Sequence, residues 1–426
     1  MEIKHLGKSG NALIFAFIIN SVVDLFVYTF FTAYLLTLSN NDIALIAQFY
    51  MIEYLFLGAM FFVFVSVAKK IKHVNMLRIG AVAKGLFILL VVLLGQGIVG
   101  NCFWLGALCG TFEAIFWTGA NTLKNLVVQS DKIKGLVSIT SINTQIIGIV
   151  CPVVFGISID AMSFIKISII VLGLIICEII STLFVKQIKV VDKKSNFKQF
   201  FHILKTEEKA RNIVGANKMM FFRGLQYFIP IFITYMIVYV LKTNTSLGAL
   251  TTLAAIFAIL LLVAFNVIKN ADKNIWSYII FTVLECISLL LCVIFMQPVF
   301  IIIFQVVYTS IKCTVEAMSE ALRGTTVRDA NLDDYMTESI AVGEFYLNSG
   351  RVIGFFVLFI MGLASSLVVS ILLSCIVMTF LVLYNVSTGR LKSKIKKDAL
   401  KMQETTSVAS EEVTSDNVKS EESVNE

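Results

Sequence analysis

Histidine, proline and tryptophan are scarce in this chain, three of each in 426 residues, and charged side chains make up only 15%. With three histidines and no C-x-x-C or H-E-x-x-H, the sequence offers neither a zinc site nor a dithiol redox pair. Its eight cysteines (Cys102, Cys109, Cys151, Cys177, Cys286, Cys292, Cys313 and Cys375) are scattered through apolar stretches, as small buried hydrophobes are. A nucleotide-binding P-loop is missing, which disfavours an ATP-driven pump in one chain, and so is G-x-S-x-G with matching partners, which disfavours an enzyme. No cofactor and no metal are expected.

What fills the chain instead is apolar. Hydrophobic residues reach 58%, phenylalanine alone numbers 35, and the mean hydropathy is +0.88, all marks of an integral membrane protein. The net charge of +7 does not point to nucleic acid, because the lysines and arginines sit in short connectors between apolar runs. The partner expected from this composition is therefore the lipid bilayer, and not nucleic acid. A monomer is expected.

A helix needs about 20 apolar residues to cross the hydrocarbon core. On that measure the sequence predicts twelve spans, at 12–38, 43–68, 76–96, 101–124, 135–159, 164–186, 213–241, 246–268, 275–296, 298–322, 336–361 and 366–386. The first is read as a retained span and not as a signal peptide, since its long apolar run lacks a small-residue cleavage site. Lysine and arginine test the count. Connectors on one side carry most of them, whereas the six opposite connectors hold only Lys166 and Lys242, so both termini are expected in the cytoplasm and the protein in the cell membrane.

The longest connector, 187–212, separates an N-terminal six-helix bundle (1–186) from a C-terminal one (213–390). Within it, Phe197, Phe200, Phe201 and Leu204 recur at helical spacing, which predicts an amphipathic helix on the inner leaflet, with a disordered basic linker as the alternative. Residues 391–426, rich in Ser and Glu toward their end, read as a cytoplasmic disordered tail. The two bundles echo each other: FFTAY (30–34) with IFITY (231–235), CGTFEA (109–114) with CTVEA (313–317), and INT (142–144) with LNS (347–349), in the same order at offsets of 201–205. A duplicated six-helix unit gives that pattern.

Charge inside these spans is concentrated on faces. In span 10, Gln305, Thr309, Lys312, Glu316, Glu320 and Arg323 fall within about a 90° sector, with Tyr308 and Ser319 beside it. Span 4 aligns Glu113, Trp117, Asn121 and Lys124. Span 7 aligns Arg223, Gln226, Tyr227, Pro230 and Thr234, and span 1 aligns Asn20, Asp24 and Tyr28. Such stripes are tolerated only against protein or a water-filled cavity.

Twelve spans in two halves, a basic central connector and polar faces on spans 1, 4, 7 and 10 resemble the major facilitator superfamily, and a bacterial branch of it in particular. The loop SVAKKIKHVNMLRIG (66–80) keeps a basic cluster but lacks that family's glycine–acidic–basic frame. GIVCPVVFG (148–156) is similar to the glycine–proline motif of its drug/proton antiporters, keeping Gly148, Pro152 and Gly156. The resemblance implies an all-α integral membrane fold of two pseudo-symmetric six-helix bundles, with spans 1, 4, 7 and 10 lining a central cavity. It also implies secondary transport of a small-molecule solute by alternating access.

Against that expectation, Asp24, Glu113, Glu316 and Glu53 are the proton-coupling candidates. Withdrawal from water disfavours a carboxylate's charged form and brings proton release toward physiological pH, although a carboxylate locked in an interhelical ion pair is the other reading. The cavity candidates are Asn20, Tyr28, Trp117, Asn121, Arg223, Gln226, Tyr227, Gln305, Tyr308, Lys312 and Glu320. Within span 10, Lys312 with Glu316 and Glu320 with Arg323 are spaced to neutralise each other. Glu344, Asn348 and Arg351 share a face of span 11 and, with the kink-forming Pro152 and Pro230, are structural or gating candidates. Glu178 and Glu285 are further deep acids without an assigned partner. The acids favour proton-coupled export of a cationic or amphipathic compound, whereas Arg223 and Lys312 suit uptake or exchange of an anionic metabolite. A transport-inactive sensor or partner subunit on the same scaffold is the third reading.

Overall fold

The computed structural model describes residues 7–126, 133–186, 196–268, 274–295, 297–330, 332–363 and 374–395. Among them there is helix and turn and no strand. Eleven continuous runs are long and apolar enough to cross a membrane, and one of these, His73–Leu123, contains two helices. Twelve spans result, in the predicted order. Residues 396–426 and 187–195, which carry the expected tail and the start of the linker, lie outside the described residues.

Span 1 (Asn11–Leu38) is α-helical over Gly7–Leu25, widens to a π-helix at Phe26–Phe31 and resumes at Thr32–Leu38. Span 2 (Ile43–Ile71) starts on an Asp42 cap, whose carboxylate accepts from the Leu45 amide at 3.1 Å. Span 3 (His73–Leu94) and span 4 (Cys102–Leu126) are joined by the 3-10 turn Gly95–Asn101, where Gly95 adopts φ +52°. Spans 5 (Ile133–Met162) and 6 (Phe164–Leu183) complete the first half.

Span 7 comprises Arg211–Leu225 and Ile229–Leu241, separated by a turn at Gln226–Phe228. Pro230 falls in the first turn of the second piece, where its missing N–H leaves no helical bond unmade. It therefore follows the break and does not kink a continuous helix. Spans 8 (Asn244–Val267), 9 (Ile275–Phe295), 10 (Pro298–Asp329), 11 (Met336–Leu363) and 12 (Ser374–Ile395) form the second half. Span 12 reaches past the hydropathy limit at 386 because its last turns, though polar, pack on the bundle through Leu391.

The halves meet mainly along two seams, span 2 against span 11 and span 5 against span 8. A six-helix duplication exchanges spans 2 with 8 and 5 with 11, so the two seams are equivalents. The span 5–8 seam explains the motif 148–156: a Cβ on Gly248 would fall on the Pro152 carbonyl, one on Gly156 would meet the Asn244 carbonyl, and Thr252 donates to the Ile149 carbonyl at 2.7 Å. Backbones in contact gain packing that lipid cannot supply. Gly248→Leu is expected to cost about 1–3 kcal/mol through overpacking, read as a lower Tm of the purified protein; an unchanged Tm would contradict the seam.

Away from the seams, Ile169, Ile176 and Ile180 of span 6 and Ile280, Leu284 and Ile287 of span 9 are exposed, forming the lipid-facing surface. The linker helix Phe197–Thr206 departs from the expectation of an inner-leaflet helix. Phe200 and Ile203 are buried against Val327, Leu332 and Val342, and Phe197 packs on Phe62 with ring centroids 5.6 Å apart. Span 10, which runs on to Asp329, the turn after it and Val342 of span 11 supply this apolar floor. Only Phe201 is left outward, on the face shared with Lys198, His202 and Lys205.

Candidate functional site

The first cluster is built on Lys84, midway along span 3 and 4% exposed at its side chain. Its ammonium meets the Asp24 carboxylate of span 1 at 2.6 Å and the Glu113 carboxylate of span 4 at 2.9 Å. Asn20, one helical turn before Asp24, donates to that carboxylate at 2.8 Å and accepts from Lys84 at 2.7 Å. Trp117 donates its indole N–H to Glu113 at 2.6 Å, and the Lys84 ammonium stands 4.8 Å from the Phe116 ring centroid. Glu178 of span 6 is fully buried and within electrostatic reach of Lys84, and among the described residues neither of its oxygens has a hydrogen-bond partner. Burying this much charge costs several kcal/mol per ion unless each is paired, which the pairing on Lys84 accomplishes for Asp24 and Glu113.

The second cluster is built on Arg223 of span 7. Its Nε donates to Glu316 at 3.2 Å and its other arm to Glu320, both on span 10. Glu316 stands one repeat offset from Glu113, so the equivalent carboxylates of spans 4 and 10 each bind a cation from another helix of their own half. Arg323, one turn beyond Glu320, turns instead to Glu344 of span 11 at 3.1 Å. The expected local pairing within span 10 is thus replaced by interhelical pairs. Only Lys312 keeps its i, i+4 partner, at 4.0 Å from Glu316. Tertiary pairs win because arginine's planar fork reaches two carboxylates of a neighbouring helix at once.

Each of these ion pairs stays within one half, so Asp24 and Glu113 do not touch Arg223 and Glu316. Spans 2 and 11 join the two clusters. Tyr28 of span 1 donates to the fully buried Glu53 of span 2 at 2.9 Å, and Glu53 is in electrostatic reach of both Glu113 and Arg351. Next to it, Tyr54 faces the Arg351 guanidinium of span 11 at 4.6 Å; the other ring on that guanidinium is Tyr227 of span 7, at 3.9 Å, and Lys312 lies 5.2 Å from the same ring. A belt of polar and charged groups therefore crosses the molecule from Lys84 to Arg223, its two clusters linked through electrostatic reach between Glu113 and Glu53.

The helices are irregular where the belt passes. The π-helical turn Phe26–Phe31 begins two residues after Asp24 and contains Tyr28, while the break at Gln226–Phe228 contains Tyr227, and the Gln226 carbonyl accepts from Tyr308 at 3.4 Å as well as from the Ile229 amide at 3.0 Å. Asp24 and Tyr227 are one repeat offset apart, so both halves give up regular helix at the equivalent depth. Such interruptions are tolerated in a membrane only beside protein or water, and π-turns gather at functional sites.

Other expected residues fall around this belt. Gln305 is buried, its carbonyl oxygen without a partner among the described residues, and Asn121 is half-buried. Asn348 joins the Glu344 carbonyl oxygen to Arg351, bonding them at 2.8 and 2.9 Å. Glu285 of span 9 binds Asn385 of span 12 at 2.6 Å, apart from the belt. The side chain of Lys124 lies outside the described residues. Lys84 and Tyr54 were missed from the sequence. A lysine in the middle of RIGAVAKGLFILL was the available signal, because a lone ammonium that deep demands partners.

At the end of the molecule opposite the basic connectors, the halves are sealed. Segment Thr32–Leu38 of span 1 packs on Ile229–Leu241 of span 7. Asp160, ending span 5, accepts from the Asn244 amide and side chain at 3.2 and 2.8 Å and from the Thr245 amide and hydroxyl at 2.8 and 2.6 Å. A carboxylate from one half thus caps the N-terminus of a helix in the other, an arrangement worth about 1 kcal/mol. Asp160→Ala is expected to weaken this contact between the halves by about 1 kcal/mol. Spin labels at Ala161 and Lys242 would then show a longer or broader distance distribution, and an unaltered one would remove Asp160 as a latch.

No protein-family profile and no curated protein matches this sequence. Solved structures do match its fold. A bacterial homologue of the iron transporter ferroportin, in an inward-facing state, superposes with a TM-score of 0.62 at 13% identity, over 92% of this chain and 100% of that one. A point mutant of the nucleoside transporter NupG gives 0.58 at 12% identity, over 89% and 98%. This chain therefore shares its overall fold, twelve spans in two halves, with these two transporter structures.

Proposed function

We propose, with that shared fold as premise, that the protein is a secondary active transporter which carries a small organic solute across the cell membrane by alternating access and couples it to protons. The observation that carries this reading is the buried charge belt, above all the two carboxylates of Asp24 and Glu113 on the single ammonium of Lys84. Two negative charges on one positive leave room for a proton, and adding or removing it changes how tightly spans 1, 3 and 4 are held together. Alternating access converts such a change into exposure of the site to one side and then the other.

By the positive-inside rule the basic connectors face the cytoplasm, with both termini. The seal at the opposite end then corresponds to an inward-open conformation. The half-exposed Glu320 side chain, 51% accessible although it faces Arg223, fits a vestibule open to that side. Export of a cationic compound has less to stand on, because Asp24, Glu113, Glu316 and Glu320 all hold protein cations already. The test is proton movement into pyranine-loaded liposomes containing the purified protein when a solute gradient is imposed. Folded protein that gives no flux across a broad solute panel would favour a transport-inactive sensor.

A further inference from the structure

Arg351 differs from the other buried cations in what neutralises it. Lys84 and Arg223 each hold two carboxylates, and Arg323 holds Glu344. Among the described residues no carboxylate comes within 4.0 Å of Arg351; one arm donates to Asn348 at 2.9 Å and its buried Nε has no partner. Glu344 is taken by Arg323 and Glu53 holds the Tyr28 hydroxyl, so both act on Arg351 only electrostatically, from beyond 4.0 Å. What faces the guanidinium instead is aromatic, Tyr227 at 3.9 Å and Tyr54 at 4.6 Å. Ring faces attract a cation by about 0.5–2 kcal/mol, well short of what burying its charge costs.

Lys312 adds a second, weakly compensated cation at the same ring. Its ammonium is 5.2 Å from the Tyr227 centroid, and the one acid within 4.0 Å of it among the described residues, Glu316, is closer to Arg223. Tyr54 belongs to the first half of the chain and Tyr227, Lys312 and Arg351 to the second, so this excess of positive charge stands where the halves meet. Lys312, Tyr227 and Arg351 all retain partial exposure.

We propose that the missing anion is supplied by the solute: Arg351 and Lys312, gathered at the Tyr227 ring, form an oxyanion-binding subsite, and the transported molecule carries a carboxylate or a phosphate. This rests on the transport reading above and names its substrate class. An anion held by a residue stacked on both halves ties solute binding to their relative position, as alternating access requires.

The test is thermal stability of the purified full-length protein with succinate as carboxylate probe, phenyl phosphate as phosphate probe and tetraphenylphosphonium as cationic counter-probe, since a ligand of the folded form raises Tm by mass action. At least one anionic probe should raise Tm, and which one does so identifies the oxyanion. Lys312→Gln and Arg351→Gln should each weaken its apparent affinity tenfold or more. Lys312→Gln decides the matter if Arg351→Gln fails to fold, because Lys312 is only loosely paired. A shift with tetraphenylphosphonium alone, no shift with either anion, or undiminished anion binding by Lys312→Gln would overturn the subsite. Liposome flux separates the two claims. Anion binding without flux retires the transport reading and leaves the subsite, while flux of cations alone retires the subsite and leaves transport.

Discussion

Lys84→Met is expected to destabilise the protein by about 3–5 kcal/mol, enough to remove most of the folded material from a detergent extract. Removing one member of a buried ion cluster strands the others, and here the stranded groups are Asp24 and Glu113, with Glu178 close by. Methionine matches the length of the lysine stem, so the loss reports the charge and not a cavity. The measurement is Tm by fluorescence-detected size-exclusion chromatography. Combining Lys84→Met with Asp24→Asn and Glu113→Gln should recover most of the lost Tm, because neutral amides need no cation. A parental Tm for the single variant would mean that the cluster is not held by Lys84.

The second large effect is functional. Asp24→Asn and Glu113→Gln are each expected to bring proton-coupled flux to the protein-free baseline while the fold survives. Survival is expected because in each single variant Lys84 keeps the other carboxylate and the new amide keeps one acceptor oxygen for it, the bond given up being the one from Asn20 or from Trp117. Pyranine-loaded liposomes report the flux, and size-exclusion behaviour reports the fold. Should both variants carry protons at the parental rate, the proton site lies elsewhere, with Glu53 and Glu178 the next groups to examine.

Much of the fold was legible because hydropathy counts residues against a fixed hydrocarbon thickness and the lysines alternate with topology. The span limits held to within a turn or two, with span 12 and the far end of span 10 displaced where polar turns continue a helix on protein contacts. The duplication was legible as well, and Glu113 and Glu316 prove to be equivalent members of the two clusters. The partners were harder to read. Polar stripes drew attention to spans 1, 4, 7 and 10, whereas Lys84 makes no stripe and organises the first cluster from span 3.

The link between the clusters was beyond sequence reasoning for a similar cause. Glu53, Tyr54 and Arg351 belong to spans 2 and 11, and their meeting with Tyr28 and Tyr227 depends on how those helices are rotated. Helical spacing fixes which residues share a face, but not which helix that face meets. Span 10 makes the point: Glu320 and Arg323 are spaced to pair with each other and instead pair across to Arg223 and Glu344.

The most direct measurement is proton-driven exchange in liposomes for the wild type beside Glu113→Gln. For one proton per electroneutral transport event, a gradient of one pH unit can sustain about a tenfold solute gradient, since each unit is worth about 1.36 kcal/mol. Wild-type protein is expected to redistribute a bound anionic probe, succinate or phenyl phosphate, when the pH step is applied, and Glu113→Gln to leave it level. A probe that stays level with wild-type protein, or that moves equally well with both, would contradict a proton-coupled carrier built on this buried charge belt.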